Sequence, residues 1–162
     1  MQAFARDNPG HSLAGAAYLR IADDAYTAGN FAEAQADYDK VAAALPGTAF
    51  ATRALLGKGM CLVQSGKAAE GTAILQRLSD DTAQPAAVRC EAAYHLASLA
   101  LEAGRFDDVI KLTNAIMQID TGGVWAQRSL QLRARTPVPV AAGATEKKDE
   151  TAPAISVKLP GS

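Results

Sequence analysis

Few side chains in this sequence are of the kind that do chemistry, and none is spaced to do it in concert. His95, within CEAAYHLASLA, is the one histidine outside a terminal loop. A lone imidazole on a helix, with no nucleophile or carboxylate at a fixed offset, reads as a packed or half-exposed residue rather than a proton shuttle. Asp23-Asp24, Asp80-Asp81 and Asp107-Asp108 are acidic pairs, but adjacent helical positions point about 100° apart and do not converge on one substrate atom. Asp107, Asp108 and Glu33 suit the first turns of helices, where negative charge complements the dipole. Cys61 and Cys90 are the only thiols. The helical reading sets them about nine residues apart in axial register, roughly 13 Å, which is too far for a disulfide. They are expected to be unpaired small hydrophobes, and they leave the compartment open. No P-loop, G-x-G-x-x-G, G-x-S-x-G, H-E-x-x-H or C-x2-C is present, so the sequence predicts no catalytic residue, cofactor, metal or small-molecule substrate.

The elements that would position any site come next. With 162 residues, 49% of them hydrophobic, and a net charge of -1, the chain can bury one sizeable core. Lys and Arg are interspersed with Asp and Glu, so no basic stripe is available to neutralise phosphates and nucleic acid is not expected as a partner. The longest charge-free runs, such as 41–52 with 12 residues, fall short of the roughly 20 needed to cross a bilayer. The opening MQAFARDNPG lacks the charged and apolar regions of a signal peptide, and reads as a lead-in or as a stub left by removal of an upstream segment.

From Gly15 to Pro46, apolar residues recur at Tyr18, Ile21, Ala22, Ala25 and Tyr26, and again at Phe31, Ala34, Tyr38, Val41 and Leu45. This is one helical face repeated on either side of a Gly29-Asn30 turn. A helix capped by Ser12 and running to Ala28 is expected, then one over Phe31–Leu45. The pattern returns as Thr48–Ser65, a Gly66-Lys67 turn and Ala68–Leu78, then as Pro85–Ala103, a Gly104-Arg105 turn and a helix from Phe106 carrying Val109, Thr113 and Ile116. The turn glycines are spaced by 37 and 38 residues. Gly59 and Gly71 should permit close helix approach. A last helix over Val124–Arg135 reads as a cap, with Trp125, Leu130 and Leu132 turned inward against Gln127, Arg128, Gln131 and Arg133. The expected divisions are a lead-in over 1–10, a repeat domain over 11–135 and a Pro/Ala-rich flexible tail over 136–162, in which Ile155, Val157 and Leu159 alternate like a short docking strand.

The residues Tyr18-x2-Ile21-Ala22-x2-Ala25, Ala34-x3-Tyr38 and Pro46 resemble the tetratricopeptide pattern W-x2-L-G-x2-Y, A-x3-F, P. The repeat spacing here is three or four residues longer than that family's 34, and the extra length falls near Thr48 and in 79–84. The resemblance implies an all-α, right-handed superhelix of three helix-turn-helix units plus a capping helix, with a non-catalytic protein-binding role. It also implies that the first helices line a concave groove for a protein or peptide partner. The groove residues are then Leu19, Arg20, Asp23 and Tyr26 in the first unit, Arg53, Leu56, Met60 and Val63 in the second, and Glu91, Tyr94, His95, Ser98 and Leu101 in the third. Tyr94 is expected to face Leu56 and Met60. Where chaperone-tail-binding members hold a carboxylate with Lys, Arg and Asn, this chain has Leu19, Asp23, Gly57, Glu91 and His95. Self-association through the Trp125 region is the alternative role.

Over roughly Phe4 to Arg135, the stretches AFARDNPGHSLAGAAYLRIADDAYTAGNFAEA and RCEAAYHLASLALEAGRFDDV look like the periplasmic repeat domain of inner-membrane-anchored ancillary Sec-translocon subunits. That likeness implies envelope or secretion partners and a place at the periplasmic face of the inner membrane. The cytoplasm is the alternative.

Overall fold

The computed structural model describes residues 11–137, together with Ala3, Asp7 and Asn8. Within them seven helices follow in order: α1 (Ser12–Thr27), α2 (Phe31–Ala44), α3 (Ala49–Gln64), α4 (Ala68–Asp80), α5 (Ala86–Glu102), α6 (Phe106–Ile119) and α7 (Val124–Arg133). No strand occurs among the described residues. The proposed strand at Ile155–Leu159 and nearly all of the lead-in and tail lie outside them.

The same turn is made three times. At Gly29, Gly66 and Gly104 the backbone is left-handed, with φ of 81°, 81° and 70°. At each, the glycine N–H reaches the carbonyl three residues back, and the next N–H reaches the carbonyl five back: Asn30 to Ala25 at 2.9 Å, Lys67 to Leu62 at 2.9 Å, Arg105 to Ala100 at 2.8 Å. This Schellman pair closes the last carbonyls of one helix and aims the next antiparallel to it. No side chain caps α2, α4 or α6, but Glu33, Glu70, Asp107 and Asp108 stand in their first turns, where the helix dipole favours them. One cap differs from expectation by one residue. His11, not Ser12, is the N-cap of α1, its Nδ1 accepting from the Leu13 N–H at 3.1 Å, while Thr48 caps α3 through its hydroxyl.

Each helix packs on the next, and α1, α3, α5 and α7 also touch in series, whereas α2, α4 and α6 do not touch one another. The first helices of the units therefore form an inner layer and the second helices an outer one, the arrangement of an all-α, tetratricopeptide-like helix-turn-helix repeat. Small residues set the spacing. Ala22, Ala34, Ala54, Ala92 and Ala97 have no exposed surface, and around them Val41, Leu75, Val109 and Ile116 are fully enclosed. Each such aliphatic side chain contributes about 1.5–3 kcal/mol relative to exposure. Helices α3 and α4 approach closely at a pair of glycines. A Cβ on Gly71 would stand 2.5 Å from the Gly59 carbonyl oxygen and 2.9 Å from the Val63 nitrogen, which are backbone atoms that cannot turn aside. Cys61 and Cys90 are both free and buried.

The cap helix sits differently from its predicted face. Ala126, Ser129 and Leu132 are its buried residues, whereas Leu130 is 57% exposed. Alanine and serine are small enough to let α7 settle on α5 and α6, and this rotation leaves Leu130 in solvent. Gly123 offers no capping side chain, so Asp120 does that work from the preceding turn, its Oδ2 accepting from the N–H of Trp125 at 2.8 Å and of Ala126 at 3.3 Å.

Candidate functional site

A cleft of about 380 Å³ opens on the inner layer where α1, α3 and α5 lie side by side, and it is lined chiefly by Asp23, Tyr26, Tyr38, Arg53, Met60 and His95. Leu56 and Gly57 form part of its floor, and Thr27 and Glu91 its edges. The cleft depends on one small residue. A Cβ at Gly57 would come within 2.6 Å of the Tyr38 ring, so glycine there lets Tyr38 reach from α2 beneath α3 to the inner face. Its hydroxyl then donates to Asp23 Oδ1 on α1 at 2.5 Å. Burial, with the Asp23 carboxylate beside it, pushes the Tyr38 hydroxyl pKa well up, so it remains a proton donor. Asp24, next in sequence, points elsewhere and pairs with Arg20 on the exposed surface at 3.0 Å. Adjacent acidic residues diverge here, as their helical offset requires.

Across the cleft, Arg53 of α3 and Glu91 of α5 form an ion pair at 2.6 Å. Burial alone would lower the Arg53 pKa, but the facing Glu91 carboxylate, with smaller contributions from Asp23 and Tyr38, outweighs it and the net direction is up. His95 lies one turn beyond Glu91, with 4.0 Å between its Nε2 and the Glu91 oxygen. Burial lowers its pKa below the usual value, and Arg53 and Arg128 push the same way against Glu91. The imidazole is therefore mostly uncharged near neutral pH. Cys61, behind Asp23, is pushed up to about 11, first by burial and then by that carboxylate, and remains a thiol. Among the described residues no three His, Cys, Asp or Glu side chains converge as metal ligands would.

Seven of the thirteen predicted groove residues meet here: Asp23, Tyr26, Arg53, Leu56, Met60, Glu91 and His95. Leu56 does so with only 2% exposure, as part of the core between α4 and α5. The others are placed elsewhere. Leu19 packs on the first unit's core, Arg20 is turned outward to Asp24, and Val63 lies over Gly71 in the α3–α4 contact. Leu101 packs between α5, α6 and α7, and half-buried Ser98 is not part of the cleft. Tyr94 does not face Leu56 and Met60. It stacks at a tilt on Trp125, ring centroids 5.7 Å apart, because α7 covers the position that Leu56 occupies one repeat earlier. Tyr38 was not read as a cleft residue, and Gly57 was read only as standing where chaperone-tail-binding members hold a carboxylate. The available signal was a tyrosine in place of phenylalanine at the A-x3-F position, since a buried hydroxyl needs a partner.

The helix-turn-helix stack that carries this cleft is a tetratricopeptide-like repeat fold. A family model described as tetratricopeptide repeat matches residues 25–89, from the end of α1 into α5. No curated protein and no solved structure matches the chain. Tetratricopeptide repeats generally mediate protein–protein interactions and are not in general catalytic, which supports a scaffold role for the chain.

Proposed function

We propose that the chain is a non-catalytic scaffold that holds a polypeptide partner in the cleft between α1, α3 and α5. The observation that carries this is the cleft itself, in which half-buried Tyr26 and Met60 stand beside the charged groups of Asp23, Arg53 and Glu91 on adjacent inner helices. Apolar anchors beside a few fixed polar groups are the composition of a binding centre. Envelope or secretion partners at the periplasmic face of the inner membrane are the finer reading, which rests only on the resemblance drawn from the sequence of residues 4–135. No helix among the described residues is long and apolar enough to cross a membrane, so attachment there would need another element. Filling the cleft tests the proposal: Met60→Trp should abolish partner capture from a cell-envelope extract while helicity and thermal midpoint stay near wild type. Undiminished capture by this folded variant would move binding to the outer layer or to the tail.

A second reading, self-association through α7, is favoured by Val124 and Leu130, which are 56% and 57% exposed on that helix. Trp125 itself is half-buried under Arg128, whose guanidinium carbon lies 4.7 Å from the ring centroid. Light scattering over a range of concentrations decides: a dimer that Leu130→Asp dissolves supports this reading, and a monomer throughout removes it.

A further inference from the structure

The cleft lining carries two carboxylates, Asp23 and Glu91, and one guanidinium, Arg53, so one negative charge is in excess. Arg53, the cation in its lining, is taken by Glu91 at 2.6 Å. Asp23 has no ion-pair partner among the described residues; its Oδ1 accepts the Tyr38 hydroxyl and nothing else is bonded to the carboxylate. An ionised carboxylate has about four acceptor sites, so a neutral hydroxyl leaves most of its capacity open, and the Arg53 guanidinium, which also attracts Asp23 at longer range, is already bonded to Glu91. Next to it stand Tyr26, Leu56 and Met60, an apolar wall leading to that carboxylate.

We infer that the cleft recognises a basic side chain, Lys or Arg, presented by a partner polypeptide, with its aliphatic stem along Met60, Leu56 and Tyr26 and its cationic head on Asp23. This rests on the reading of the cleft as the partner site. The chemistry of the occupant follows from the lining. Lys and Arg combine an apolar stem with a charged head, the order in which the cleft offers wall and carboxylate. An acidic residue would be repelled by Asp23 and would have to displace Glu91 from Arg53. A purely apolar residue would strip water from Asp23 without replacing it, which costs binding free energy. Tyr38 holds the carboxylate in place from below, so little ordering is needed when the cation arrives.

Peptide titration followed by NMR tests this. Terminally blocked Ala/Leu peptides that differ only in one central residue, Lys, Arg, Gln or Glu, are titrated into protein labelled at the methionine methyls. Lys and Arg peptides should shift the Met60 methyl and bind about tenfold more tightly than the Gln peptide, as expected for one charge-assisted contact, with the Glu peptide weakest. Asp23→Asn keeps an oxygen for the Tyr38 hydroxyl and should erase the preference. Equal affinity for Lys and Gln peptides, or a preference that survives in Asp23→Asn, overturns the inference while leaving the cleft a binding site. If no peptide moves the Met60 methyl, the cleft reading fails and the inference falls with it.

Discussion

Helix α3 shows two unlike sides. Toward α4 it presents Gly59 against Gly71, where backbone lies so close to backbone that Gly71 has no room for a Cβ. Toward α1 and α5 it presents Arg53 and Met60, half-buried and bordering open space. The first side is shut and apolar; the second is polar, with an ion pair reaching the next repeat. The contrast separates two jobs within one helix. Contacts inside a unit fix how its helices approach, through small side chains whose replacement is punished sterically. Contacts between inner helices leave room, and there residue type is free to serve recognition.

The sharpest way to break this contrast is to add volume to the shut side. Gly71→Val would drive a Cβ and two methyls into the Gly59 carbonyl and the Val63 backbone, and should cost about 3 kcal/mol in urea unfolding. Gly59→Ala is the matched control, because its Cβ would meet mainly the movable Leu75 side chain at 3.2 Å. The gain in helix propensity should hold its change within about 1 kcal/mol. Next in size is Ala34→Leu. Ala34 is fully enclosed against Tyr38, Val41 and Ala54, and overpacking there should cost about 2 kcal/mol, read as a fall in thermal midpoint. An unchanged midpoint in either enlarged variant would show that the shut side yields.

These same residues explain what was legible in the sequence. Periodicity and the recurring Gly29, Gly66 and Gly104 carry the architecture because turn glycines and apolar spacing act locally, within one helix and its neighbour. The groove list drew on the same periodicity, and about half of its residues line one cleft. A residue's helical face is local, but what covers that face is not. Tyr94 and Leu56 occupy equivalent faces, and one lies beneath a cap helix while the other floors a cleft. Leu130 was misplaced for the same reason: which side of α7 faces inward is decided by the fit of Ala126 and Ser129 on α5 and α6, not by hydrophobicity along the helix. The passage of Tyr38 under Gly57 joins positions on two helices, and no pattern within a single helix encodes it.

On the open side the largest single interaction is Arg53–Glu91, and its removal should matter less than the shut side's overpacking. With the arginine side chain 43% exposed and the glutamate 23% exposed, solvent screens much of their attraction. A double-mutant cycle of Arg53→Ala and Glu91→Ala should return a coupling of about 0.5–1 kcal/mol, decreasing with added salt. A coupling above about 2 kcal/mol would mean the inner face is as rigidly built as the seam.

The smallest effect expected is one of pH, and it belongs to the open side alone. Burial, aided by Arg53 and Arg128 and opposed by Glu91, lowers the pKa of His95 below its ordinary 6.5. The native state therefore binds this proton less readily than the unfolded chain does. Stability is then undiminished above 6.5, begins to fall as pH drops below it, and stops falling once pH is below the native value. Other groups titrate over the same range, so the measurement is a difference: the drop in thermal midpoint between pH 8 and pH 5, compared between wild type and His95→Gln. The variant should lose less stability on acidification. Ala34→Leu should show the wild-type drop from a lower starting point, since no titratable group in its contact changes. Identical drops in wild type and His95→Gln would mean that the imidazole is as well solvated in the fold as out of it, and that the cleft is more open to water than its lining implies.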